Sequence, residues 1–127
     1  MKKLILILLV MMSGNYCANA QQKNQKEVLR HVVLFGWKEG TDPVIIDKIV
    51  TAFGELKNKI KVIKEYEWGI NSSPENLNNG LSHCFTITFK NEADRDAYLI
   101  HPDHKAFIAL LNPAPEKITV IDYWAFR

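Results

Sequence analysis

Cysteine is scarce in this chain of 127 residues, which has only Cys17 and Cys84. Cys17 falls in an N-terminal segment that reads as removable, so the remaining domain has a lone thiol and no internal disulfide. Its stability has to come from a packed core and from assembly. Cys84, in the middle of a predicted strand, reads as a small packing residue. An excess of one charge is also missing: 16 Lys and Arg against 14 Asp and Glu give a formal net charge of +2. A near-neutral domain without a basic stripe is not built for nucleic acid or for an anionic membrane surface. Long apolar runs are absent as well. The unbroken stretch from Leu4 to Met12 is far short of the roughly 20 residues that cross a bilayer, so no membrane anchor is expected. There is no internal repeat and no low-complexity tract.

The start of the chain reads as an export signal. Lys2 and Lys3 form a basic region, the apolar run follows, and Ala18-Asn19-Ala20 makes an A-x-A cleavage site. Tyr16 is too bulky to precede a lipid-acceptor cysteine at Cys17. Residues 1–20 are therefore expected to be a cleavable signal peptide, with the periplasm or the exterior as destination. Cleavage removes two lysines and no acid, which brings the formal charge to zero and leaves 107 residues, the size of one small domain. Residues 21–28 are polar and aperiodic and read as a flexible lead-in.

From there the pattern alternates between periods of 2 and 3.6. Residues 29–37 are β-branched and aromatic on both faces, which predicts a strand covered on both sides. Asp42-Pro43 is a cap followed by a favoured first helical residue. Ile45, Ile46, Ile49, Val50, Phe53, Leu56 and Ile60 then mark an amphipathic helix to about residue 60. Residues 62–70 return to period two, 71–80 are a loop of turn residues, and 82–90 alternate again, with His83, Phe85, Ile87 and Phe89 on one face. Asn91 caps a short helix through Tyr98, and Pro102 opens another to about Asn112, where two prolines stop it. Residues 118–126 form a last strand, apolar on both sides but for Asp122. Strand, helix, strand, strand, helix pair, strand is an α+β, ferredoxin-like order: a four-stranded antiparallel sheet with helices on one face. The other face also needs a cover. A second copy of the sheet is the simplest one, which predicts a homodimer.

Chemistry-bearing residues concentrate between Tyr98 and His104. Pro102 disfavours helical geometry at His101 and places His104 in the first turn of a new helix. The partial positive charge there favours a neutral imidazole. Structurally, such a run can equally be a helix corner whose histidines satisfy local backbone groups. His101 and His104 are also three apart, with His31, His83 and Asp122 as conceivable further ligands. Pro102 breaks the regular face that a metal pair would use, so no metal is assigned.

The sequence resembles the stress-responsive A/B-barrel (Dabb) family over residues 30–124. The matching pieces are His31-Val32-Val33-Leu34-Phe35, Glu67-Trp68-Gly69, residues 82–89, the Y-x-x-H-P-x-H-x-x-F run from Tyr98 to Phe107, and Ile121-Asp122-Tyr123. The domain is accordingly assigned to residues 29–127. The resemblance implies a dimeric α/β barrel and two kinds of activity, since the family holds heat-stable plant stress proteins and a cyclase that closes a linear tetraketide to a phenolic acid. By motif, it implies His104 as general base, Tyr98 as the group that positions a substrate carbonyl, and Asp122 as the carboxylate orienting His104. His31 and His83 would face the same cavity, between helices and sheet. Trp68 and Phe85 complete the expected substrate-binding set.

The first expectation is an exported homodimer with a small-molecule pocket in a binding or protective role, for a small apolar or phenolic ligand and without a cofactor. The alternative is a cyclase- or lyase-like enzyme on a small carbonyl or phenolic compound. Ring closure of that kind needs a base near neutral pKa and a donor to steady an enolate oxygen, and a histidine and a phenol supply both.

Overall fold

A computed structural model describes residues 27–126. The expected signal segment and most of the lead-in lie outside the described residues. Strand β1 runs Val28–Gly36, helix α1 Pro43–Lys59, β2 Glu65–Ile70, β3 His83–Phe89, α2 Glu92–Ile100, α3 Pro102–Ala109 and β4 Lys117–Ala125. The strands form one antiparallel sheet in the order β2-β3-β1-β4. This is the expected α+β, ferredoxin-like arrangement.

Alternation along β1 decides the two faces. Leu29, His31, Val33 and Phe35 point one way and are buried, while Val28, Arg30, Val32 and Leu34 point the other way and are half-buried. The first set packs with Phe85, Ile87 and Phe89 of β3 against Ile49, Val50, Phe53 and Leu56 of α1 and Phe107 of α3. Phe53 is the hub, with ring centroids 4.5 Å from Phe85 and 4.6 Å from Phe107. Each fully buried phenylalanine of this cluster contributes about 2–3 kcal/mol of transfer free energy.

Helix α1 starts as predicted, with the Asp42 carboxylate accepting from the Val44 N–H at 2.9 Å and Pro43 in the first turn. The strand expected from residue 62 begins only at Glu65. Ile60 and Ile63 are buried plugs of the turn that follows α1, and the Lys57 ammonium donates to the carbonyls of Ile63 and Lys64. Ile63, read as strand, is therefore the inside of a turn that Lys57 holds. Helix α3 ends at Ala109, three residues early, because Leu110 and Leu111 close back on Phe107 and Ile108.

The uncovered face carries Val32 and Leu34 on β1, Cys84 and Thr86 on β3, and Ile121 and Tyr123 on β4, by the strand register. Ile121 is 51% exposed. No described element lies over this face, so the two-sided cover expected for β1 is half present within one chain. Charge on this face lies toward β2 and its ends: Arg30 bonds Glu65 and Thr88, and Glu67 stands opposite Thr86.

Candidate active site

The sheet and the α2–α3 corner bring four of the sequence-selected residues together. His31 on β1 and Asp122 on β4 are direct cross-strand partners. The Nδ1 and Oδ1 atoms are 2.6 Å apart, a charge-assisted length. The other carboxylate oxygen, Oδ2, accepts from Arg95 Nη1 at 3.0 Å. A carboxylate can only accept, so neutral His31 carries its proton on Nδ1 and keeps Nε2 as an acceptor.

Tyr98 of α2 sits edge-on to His31 with ring centroids 5.7 Å apart, and 4.3 Å from the ring of His104. Tyr98 is 1% and His31 4% exposed, whereas His104 is half-buried and forms the outer wall. His104 Nδ1 donates to the Leu99 carbonyl at 3.1 Å, which leaves Nε2 as the acceptor here too. Burial lowers the His104 pKa. The Leu99 carbonyl opposes that shift, and the nearby His31 and His101 add to it. The expected direction is therefore present, with burial as its main cause. Burial also pushes the Tyr98 phenol well above its ordinary value, so it stays a donor.

Three expected placements change. Asp122 bonds His31 and Arg95 instead of orienting His104, because the β1–β4 register puts it directly opposite His31. His83 does not share the cavity of His31. It lies four residues further along the sheet, opposite Phe35, which is about 13 Å away at strand spacing. There the Trp37 indole N–H donates to His83 Nδ1 at 2.9 Å, with Ser82 Oγ 3.0 Å from the same atom. Burial lowers the His83 pKa. Trp68, 48% exposed, stacks parallel to His83 at 6.2 Å. Phe85 is fully buried beneath them in the core and supports this wall without lining a surface. The third change concerns the pocket. A cleft of about 510 Å³ opens on the uncovered sheet face and β2 edge, beneath the 71–82 loop, and is lined by Leu34, Glu67, Trp68, Leu77, His83 and Cys84 among others. This cleft lies on the side of the sheet away from the helices, whereas the expected pocket is between helices and sheet.

His101 is used structurally: it ends α2, and its Nδ1 accepts from the Asp103 N–H as the cap of α3. Among the described residues, no cluster of three His, Cys, Asp or Glu side chains is arranged to hold a metal ion. Arg95 and Trp37 went unnoticed in the sequence. Arg95 looks like any exposed helix charge beside Asp94 and Asp96, and only the fold brings it to Asp122.

The Tyr98 ring thus touches both imidazoles, and the Asp122 carboxylate is bonded to one of them. Comparison with known proteins places this cluster in context. The family model of the Stress Responsive A/B Barrel Domain, Dabb, matches residues 29–125. The stress-response A/B barrel domain-containing protein HS1 of Arabidopsis thaliana is 34% identical over 98 residues, covering 77% of this chain and 90% of that one. Olivetolic acid cyclase of Cannabis sativa is 24% identical over 95 residues, covering 75% and 94%. The solved structure of a hydroxynitrile lyase from Passiflora edulis aligns with a TM-score of 0.73 at 31% identity, over 79% of this chain and 94% of that one. Other solved proteins of this fold are described as dimeric and ferredoxin-like. The chain belongs to the stress-responsive A/B-barrel (Dabb) family.

Proposed function

We propose that the domain acts on a small carbonyl or phenolic compound by acid–base chemistry, in the manner of a lyase or cyclase. The observation that supports this reading is the ring contact of Tyr98 with both His31 and His104, which gathers a phenol and two imidazoles in one cluster. In this reading Tyr98 donates to the substrate oxygen. His104, the member that solvent reaches, moves the proton through Nε2. The His31–Asp122–Arg95 chain supports the site from below and holds His31 in one tautomer. The likeness to the hydroxynitrile lyase and to the cyclase supports this choice of chemistry. The test is turnover by residues 21–127 of a panel of small aldehydes, phenols and hydroxynitriles. Consumption of at least one compound above the buffer rate is expected, and none across the panel would overturn the reading.

A second reading is a binding or protective module without turnover. It is favoured by the near-complete burial of Tyr98 and His31 and by the likeness to HS1. Ligand retention with no chemistry in the same panel selects it. Both readings take the domain to be an exported homodimer. The uncovered face, with half-buried Val32 and Leu34 beside exposed Ile121 and Tyr123, and the dimeric neighbours support the dimer, and the residue 1–20 pattern supports export. Native mass spectrometry of protein recovered from its own host reports both, as a mass doubled and a chain starting at Gln21.

A further inference from the structure

Helix α2 has little to seat it. Within Glu92–Ile100 the one buried residue is Tyr98, and Leu99 and Ile100 at its end are 40% and 70% exposed. A surface helix ordinarily takes its place from a buried apolar stripe along one face, and α2 has no such stripe. Two side chains tie it to the sheet. One is Tyr98, whose ring centroid lies 5.2 Å from that of Phe89 on β3 and 5.7 Å from that of His31 on β1. The other is Arg95, three positions earlier in the helix and so on the same face.

Arg95 uses both sides of its guanidinium. Nη1 donates to Asp122 Oδ2 at 3.0 Å, while Nε and Nη2 lie 3.0 and 2.9 Å from Asp96 Oδ1. Asp122 in turn holds His31 Nδ1 at 2.6 Å. The contacts close on themselves: Tyr98 on His31, His31 on Asp122, Asp122 on Arg95, and Arg95 back to Tyr98 through one turn of α2. Closed in this way, they give α2 one height and one rotation over the sheet. The Tyr98 ring is thereby set against His31 and, at 4.3 Å, against His104. Opening the ring of contacts at Arg95 leaves Tyr98 alone to hold the helix on the sheet. Lysine at this position keeps the charge but is a single point without the fork, so it cannot grip Asp96 and Asp122 in the same fixed geometry.

We infer that Arg95 is a positioning residue of the candidate active site, acting on Tyr98 through α2 and not on a ligand. This rests on the proposed reading of the site and adds to it that the place of the phenol depends on an ion pair between the helix and strand β4.

The test takes the wild type, Arg95→Gln, Arg95→Lys and Gly36→Ala, each with its melting temperature. Gly36→Ala, at the far end of β1, is the control for lost stability. The nuclear Overhauser contact between the Tyr98 and His31 rings reports position without any ligand, and that between Phe53 and Phe85 in the core is the internal reference. In Arg95→Gln the first contact is expected to weaken while the reference holds. Its kcat on the best compound of the panel is expected to fall about 10²-fold, the effect of a misplacement of about 1 Å, with KM changed by no more than about twofold. Arg95→Lys should show the same changes in smaller measure, and it carries the test if the glutamine variant does not fold. Gly36→Ala should melt lower and keep both the ring contact and kcat. An unchanged ring contact or an unchanged kcat in folded Arg95→Gln overturns the inference and leaves the site reading standing. An equal fall of kcat in Gly36→Ala overturns it too, because the effect would then be one of stability. A wild type that turns over no compound overturns the site reading itself, and the role of Arg95 falls with it.

Discussion

Asp122 and His31 meet across β4 and β1 at 2.6 Å, and the second oxygen of the same carboxylate is held by Arg95 from α2. One edge-strand acid thus ties the sheet to the helix that carries Tyr98. Asp122→Asn keeps the shape, removes the charge, and weakens both contacts. A stability loss of about 1–3 kcal/mol is expected, in the range of hydrogen bonds to charged groups. It would be read from the urea midpoint at an unchanged slope. An unchanged midpoint would mean the chain of contacts contributes nothing to the fold.

Gly54 and Gly36 should respond in opposite directions to alanine. At Gly54 the nearest atoms to an added Cβ are at ordinary contact distance, so the gain in helix propensity dominates. Stabilisation by up to about 1 kcal/mol is expected. At Gly36 the Cβ would lie 2.5 Å from the carbonyl oxygen of Gly80. Backbone there has to move, and a loss of about 1–3 kcal/mol should follow. Thermal melts of the two single variants settle both signs.

Acid should destabilise the domain before its carboxylates titrate. Burial lowers the pKa of both His83 and His104 below the ordinary value of 6.5. The unfolded chain then binds more protons than the folded one as pH drops below 6.5, so the stability present above that value is lost on the way down through the folded pKa values. Melting temperature is expected to be flat from pH 8 to 7 and to fall between pH 6.5 and 5. His83→Gln should shallow that fall. A melting temperature that rises across the same interval would contradict burial as the dominant influence on these rings.

Much of this was legible beforehand. Asp42-Pro43 announces α1, Tyr98 and His104 are set side by side by the break at Pro102, and the alternation of β3 assigns its faces correctly. These are local signals, carried by capping and by side-chain period. The partner of Asp122 was not legible, because it depends on the register between β1 and β4, two strands some 90 residues apart in sequence. The separation of His83 from His31 is hidden for the same reason: both point to the helix-covered face, and only the pairing His83–Phe35 shows that they stand at different ends of it.

The uncovered sheet face makes its own prediction. Ile121→Glu places a charge in the middle of the face opposite Val32 and should convert a dimer into a folded monomer in sedimentation velocity. A variant that still sediments as a dimer would locate the interface elsewhere.

The most direct measurement is turnover of the best compound from the panel by wild type, His104→Ala and Tyr98→Phe at pH 7. The account predicts a fall of about 10²–10⁴-fold for His104→Ala, the usual range for loss of a general base, with a comparable loss for Tyr98→Phe and both variants folded. Wild-type rates in folded His104→Ala would contradict it.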